Sequence, residues 1–396
     1  MSALTALKHV ARFEYGDALA QEARTEGEVP VYGSNGITGT HNAANTFGPA
    51  IIVGRKGSFG KVTWTDVPSF CIDTAYFIDS RSTKASLRWL YWSLQTLGLD
   101  EHSEDTGVPG LSREKAYQAK LKLPPSVEQE RISNFLDEKT ARIDALIAEK
   151  ERLVEKLEEH WASVISTELG ANETEGKHAW TTIPLKYVTV ARCDGPFGSA
   201  LTSAHYVDEG ARVIRLQNIR FGEFDSTDAA FIDDDYFARE LTYHSVLEGD
   251  ILIAGLGDEK NFVGRACVAP NLGSNALVKA DCFRFRVDTK RVLPKFVALQ
   301  LSATAQRDGG LLSSGSTRQR IPLTVTECRL LCLPALAEQI DIVERLERRK
   351  REHSTLLHHT AEHIARLREY RSSLVSAAVT GQLNVDAFEA RQVEAA

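Results

Sequence analysis

From Leu123 to Leu169, apolar residues recur at steps of three, four or seven: Ile132, Leu136, Ile143, Leu146, Leu153, Leu157 and Val164. So narrow a stripe predicts a long helix with a coiled-coil seam, because a helix lying on a globular core shows a wider apolar face. The pattern returns in altered form from Leu333 to Val379. Laid over each other without a gap, the two stretches match Leu123-Pro124 with Leu333-Pro334, Glu128-Gln129 with Glu338-Gln339, and Ile132 with Ile342. Further along, Leu136 falls on Leu346, Leu146 on Leu356, Leu157 on Leu367 and Val164 on Leu374. A register held that long is what a rigid rod demands. At about 1.5 Å per residue each rod reaches roughly 60–70 Å, more than a compact domain needs for its own core. Ser126 with Gln129 predicts a capping box at the start of the first rod, behind Pro124-Pro125. The second rod has Ala335 to Ala337 there, so its start is expected to fray. Polar residues read onto the seam at Lys139, Lys150 and His160, and at Arg349, His353, Thr360 and His363. Such positions select one register and one partner, so the two rods are expected to pair with each other.

The remaining segments have the shorter apolar runs of strands. Val31-Tyr32 leads into the turn Gly33-Ser34-Asn35-Gly36, and Ile51-Ile52-Val53 leads through Gly54-Arg55-Lys56-Gly57-Ser58-Phe59-Gly60-Lys61 into a second strand at Val62. Leu87 to Leu94 is apolar at helical spacing and reads as core. Residues 179–332 repeat this order less literally: Leu185 to Val188 echoes Leu7 to Val10, and Val213 to Ile219 stands where Val31 to Asn35 stood. Likewise Asp250 to Gly255 with Val263 to Ala266 matches the strands around Gly54, and Phe296 to Leu301 answers the helix of Trp89. The chain therefore reads as α+β, with a strand-rich domain at 1–122, a rod at 123–169 and a linker at 170–178. A second domain at 179–332, a second rod at 333–380 and a tail at 381–396 follow.

Composition changes this picture little. The 396 residues are 43% hydrophobic and 26% charged, ordinary for a folded chain of two or three domains. With no membrane-length apolar run and no signal core at the N-terminus, a cytoplasmic protein is expected. Six cysteines without a CxxC pair indicate neither a disulfide framework nor a zinc site, and read as small buried residues. The net charge of -7 weighs against nucleic-acid binding, but acidic residues concentrate in the first rod and in Asp225 to Asp235, so any DNA face must be local.

Candidate chemistry is sparse. The Gly54–Lys61 loop is not a phosphate loop, since Arg55 and Val62 stand where glycine and a hydroxyl residue are needed; what survives is a glycine-softened loop with three cations. Its alternative reading is a solvated hairpin. Gly255-Leu256-Gly257 lacks the third glycine of a dinucleotide fingerprint, Asp233 to Asp235 reads as a solvated acidic turn, and His359 with His363 does not form HExxH. No catalytic or metal set emerges.

The layout and local sequences resemble the specificity subunits of type I restriction-modification systems. The resemblance is carried by Val31 to Ile37, Ile51 to Ser58, Asp194 to Ser199, Arg215 to Ile219, Leu123-Pro124-Pro125 with Glu128-Gln129, Ile143 to Ile147, and Val379 to Leu383. It implies two target recognition domains, each reading half of a split sequence in double-stranded DNA, separated by two long helices pairing as an antiparallel coiled coil. It implies modification (methylase) subunits that bind S-adenosylmethionine, restriction subunits for cleavage, and no cofactor or catalysis on this chain. Candidate DNA-contacting residues are Tyr32, Ser34, Asn35, Arg55, Lys56, Ser58 and Lys61 in the first domain. In the second they are Arg215, Gln217, Asn218, Lys260 and Arg265, with Gln or Asn suited to adenine and Arg to guanine. The competing reading is a coiled-coil scaffold without direct DNA contact.

Overall fold

The computed structural model describes residues 4–101, 110–171, 180–258, 260–312 and 319–388. It divides into two compact units, Met1–Arg152 with Thr360–Ala396, and Leu153–His359. Each unit holds one strand-rich segment and a stretch of both long helices, Ser126–Glu168 and Leu336–Val379.

In the first unit, an antiparallel sheet runs in the order Glu14–Tyr15, Ala75–Ile78, Ala50–Gly54, Val62–Thr65. A second sheet places Val29–Gly33 between Gly36–His41 and a parallel Phe70–Cys71. The continuous apolar run Ala50–Gly54 suits a strand covered on both faces, and all five of its residues are buried. Helix Leu87–Leu94 supplies Trp89, Leu90, Trp92 and Leu94 to the core, as its spacing predicts.

The second unit repeats the plan. One antiparallel sheet is Thr189–Cys193, Cys282–Val287, Ile251–Ala254, Ala266–Val268, and a second four-stranded sheet pairs Ala211–Ile214 in parallel with Ala276–Val278. Alternation along Ile251–Ala254 divides the interior. Ile251 and Ile253 pack with Phe283, Phe285 and Val297, Ala298 and Leu301 of helix Pro294–Leu312, whereas Leu252 and Ala254 pack with Ile214, Cys267 and Val278. Each such fully buried aliphatic or aromatic side chain stabilises the fold by about 1.5–3 kcal/mol. The parallel pairings of Val31 with Phe70 and of Val213 with Leu277 place Val213–Ile219 in the role of Val31–Asn35.

The long helices have 43 and 44 residues and pair antiparallel within each unit. In the first unit Asp144 receives Arg371 at 2.8 Å and Glu151 receives Arg368 at 2.7 Å. In the second unit Trp161 stacks on His353 with ring centroids 5.3 Å apart, and Glu168 binds Arg345 and Arg349. Partners step backward along one helix as they advance along the other.

The seam differs in detail from the spacing read along the sequence. Leu146 and Leu153 are exposed; Ile147 and Val154 turn inward instead, and Trp161 replaces His160. On the second helix Arg349 and His363 are exposed, while His353, Thr360 and Ile364 lie inward. Reading the stripe as steps of seven from Leu146 set the phase one residue early; the inward residues follow alternating steps of four and three, as the antiparallel seam requires.

The expected capping box is also replaced. Gln129 is buried; its Oε1 accepts the Ser86 N–H at 2.8 Å and its Nε2 donates to Pro124 O at 2.8 Å. Gln339 does the same in the second unit, accepting from Leu293 N at 2.8 Å and donating to Pro334 O at 2.9 Å. The repeated glutamine thus locks each helix start to the entrance of a domain helix. After Val379 the chain folds back within the first unit, where Asp386 accepts from Arg131 at 2.7 Å and Phe388 meets Phe135 edge-on. Of the cysteines, Cys328 is exposed and Cys332 half-buried, contrary to the expectation that all are buried. No described helix is long and apolar enough to cross a membrane.

Candidate nucleic-acid interface

In the first unit the structure gathers most of the residues singled out along the sequence. The turn Ser34-Asn35 joins strands Val29–Gly33 and Gly36–His41, and the 55–61 loop lies against it. Lys61 Nζ donates to Asn35 O at 2.8 Å and to Asn35 Oδ1 at 2.9 Å, tying loop to turn. Arg55 and Lys56 both donate their backbone N–H to Thr74 O, which fixes the loop base and leaves the Lys56 and Ser58 side chains exposed. The Arg55 guanidinium donates to Asp73 O at 3.2 Å and lies 5.0 Å from the centroid of the Tyr15 ring. Tyr32 does not join them. It is 7% exposed and packs with Ile52, Cys71 and Phe77, because strand alternation turns it inward.

The second unit builds the same junction from different residues. Gly60 and Gly264 occupy equivalent left-handed positions at φ 77° and 85°, donating to the carbonyls of Gly54 and Ala254. The cation that follows each glycine, Lys61 or Arg265, bonds the neighbouring turn. Arg265 is 7% exposed and donates to Ile219 O at 2.7 Å and Leu216 O at 2.8 Å. Burial lowers its pKa, yet an arginine stays charged and these carbonyls satisfy it. Arg265 is therefore a brace of the fold, which corrects its candidacy for DNA contact.

Asn218 is corrected for the same reason. It is fully buried, with Oδ1 accepting the Arg215 N–H and Nδ2 donating to Asp225 O and Asp228 O, each at 2.8 Å. Arg215 is ion-paired with Asp228, and Gln217 Nε2 donates to the same carboxylate at 2.8 Å. Arg220 pairs with Asp225. The acidic loop conspicuous in the sequence thus neutralises the cations beside it, an arrangement that spacing along the chain does not reveal. Lys260 is exposed, its backbone N–H held by Asp258 Oδ1 at 2.9 Å. The two junctions consequently differ in charge: exposed cations dominate the first, carboxylate-paired ones the second. The sequence reading missed Asp228, Tyr15 and Arg113; Arg113 is 4.8 Å from the ring that Arg55 also faces.

Known proteins share this architecture. A family profile described as the type I restriction modification DNA specificity domain matches residues 4–156. The specificity subunit of the type I restriction enzyme EcoKI from Escherichia coli K12 is 23% identical over 274 residues, covering 66% of this chain and 57% of its own length. The EcoBI specificity subunit of Escherichia coli is 22% identical over 356 residues, covering 84% of this chain and 73% of its own. The chain thus spans little more than half of the EcoKI subunit. Among solved structures, a chain from work on complex assembly and conformational transition of the type I R-M system superposes with a TM-score of 0.75 at 14% identity, covering 96% of this chain and 98% of that one. The HsdS subunit from Thermoanaerobacter tengcongensis gives a TM-score of 0.55 at 16% identity, covering 96% and 97%. These structures share the fold of two strand-rich segments with two long helices. Residues 4–156 match the type I restriction modification DNA specificity domain, and the chain as a whole is similar in sequence and fold to specificity subunits of type I restriction-modification systems.

Proposed function

We propose that this chain is the sequence-reading subunit of a type I restriction-modification complex, binding a bipartite target in double-stranded DNA with one domain per half-site. The observation that carries this reading is the junction built twice, a strand-to-strand turn held against a glycine-bearing loop by Lys61 in one unit and Arg265 in the other. Two such elements on one chain suit two half-sites. The long helices act as spacer and as frame for modification subunits, with restriction subunits joining for cleavage. Chemistry, and the S-adenosylmethionine it uses, belongs to the modification subunits; this chain is non-catalytic and works in the cytoplasm.

The scaffold reading draws support from the net charge of -7 and from the paired cations of the second unit. One experiment separates the two. In a host carrying this gene with its methylase partner, methylome sequencing is expected to show a split adenine-methylation motif, and exchanging residues 179–332 for those of a relative is expected to change one half only. Methylation whose motif ignores that exchange would support a scaffold.

A further inference from the structure

Two arginines in the first unit share one aromatic ring. Arg55 and Arg113 place their guanidinium carbons 5.0 and 4.8 Å from the centroid of Tyr15, which is 44% exposed. The ring is held by an aromatic ladder: Tyr15 meets Tyr76 edge-on at 5.1 Å, Tyr76 meets Phe13 at 5.6 Å, and Phe13 meets Tyr117 at 5.7 Å. Tyr117 is tied into the same assembly by its hydroxyl oxygen, which accepts the Phe13 N–H at 2.9 Å. Burial pushes the pKa of the Tyr76 phenol up to about 12, so that phenol adds no negative charge near neutral pH.

Two like charges brought to one ring repel each other, and cation–π attraction at a partly exposed site offsets only about 0.5–1 kcal/mol each. Their counter-charge is slight. Among the described residues Arg55 donates to the Asp73 carbonyl and to no carboxylate, and Arg113 has Glu114 at 3.7 Å, itself 72% exposed. The Arg113 Nε is buried without an acceptor. Two guanidinium groups that share one partly exposed ring with so little counter-charge are a site for an anion with several oxygens. Among the described residues the second unit shows no such pair: Tyr15 lies opposite Tyr76 in strand register, whereas the corresponding strand there ends with Cys193 opposite Arg284, and Arg320 pairs with Asp281 at 2.8 Å.

We propose that Arg55, Arg113 and Tyr15 form a clamp for a DNA backbone phosphate, present in the first domain only. The inference rests on the DNA-reading function above and adds Tyr15 and Arg113 to the interface. Its test uses the full chain assembled with its methylase partner, titrated by fluorescence anisotropy with duplex DNA carrying the methylated motif over a range of salt. Arg113→Gln is expected to weaken binding about tenfold and to lower the slope of log K against log salt by about 0.9, as for one lost phosphate contact. Arg55→Gln provides a second variant, and melting curves confirm folding. A scan of single neutral methylphosphonates is then expected to find one position, in one half-site, whose neutralisation weakens the wild type and adds no further loss to Arg113→Gln. Unchanged affinity and slope in both variants, or losses additive with every methylphosphonate, would overturn the clamp while leaving the DNA reading intact. A wild-type complex that shows no preference for its own methylated motif would remove both.

Discussion

Lys56 and Arg265 show how burial separates two uses of a cation. Both follow from glycine-bearing loops between paired strands, but Arg265 spends its donors on carbonyls of the fold while the Lys56 side chain is exposed. Lys56→Ala is therefore expected to leave the melting temperature in place and to weaken DNA binding by a similar factor on specific and nonspecific sequences, as a phosphate contact does. Anisotropy titrations on both DNAs check this, and a loss confined to the methylated motif would show a base contact instead. Asp194 offers a pH prediction. Burial, together with the neighbouring Asp281, pushes its carboxyl up to about 6 against the Gly195 N–H that it accepts. The folded state therefore holds a proton more tightly than the unfolded chain, and stability falls as pH rises from about 4 through 6. Asp194→Asn, which keeps the acceptor, is expected to flatten that dependence and to raise stability above pH 6 by about 1 kcal/mol, the half-buried setting being screened by solvent. Chemical denaturation at pH 4.5 and 7 measures the difference; equal changes at the two pH values would contradict it. Lys56 was marked along the chain by its loop, but the setting of Asp194 was not, since Asp281 is far from it in sequence and folding brings the two together.

At the level of elements, the repeated Glu-Gln pair was visible at once and its purpose was not. Gln129 and Gln339 each satisfy a backbone N–H at the entrance of a domain helix many residues upstream, a contact that no local rule anticipates. Replacing either with Ala leaves that N–H without its acceptor in a buried place, so Gln129→Ala and Gln339→Ala are each expected to cost about 1–3 kcal/mol. Denaturant titration reads the loss, and a change below about 0.5 kcal/mol would mean that water satisfies the groups equally well. The same reasoning explains why the local cap prediction at Ser126 failed. A glutamine drawn inward by tertiary contacts cannot also reach back to its own helix start.

For the molecule as a whole, helix pairing carries the testable consequence. Glu151 meets Arg368 in one unit and Trp161 meets His353 in the other, so the stretch facing Glu149–Glu155 falls between His353 and Arg368, where the duplicated equivalent His359–Ala365 also lies. Deleting both heptads keeps each seam in phase and shortens each helix by roughly 10 Å. The expected result is a methylation motif with both half-sites unchanged and a gap shorter by about three base pairs. An active double deletion that methylates with the original gap would show that the helices do not set it.

The sequence by itself determined the two long helices, the repeated strand-rich plan and the equivalence of Val31–Asn35 with Val213–Ile219, because periodicity and duplication are written in residue order. It also marked the Gly54–Lys61 loop, whose glycines and cations are consecutive. Tertiary structure decided the rest. It chose Ile147 and Val154 over Leu146 and Leu153 for the seam, because only a partner helix defines which side is inward. It turned Asn218 and Arg265 into internal braces and paired Arg215 with Asp228, because a polar side chain satisfies whichever donors and acceptors folding brings within reach. It also set two arginines on Tyr15, from positions 40 and 98 residues away along the chain, where no spacing rule could join them.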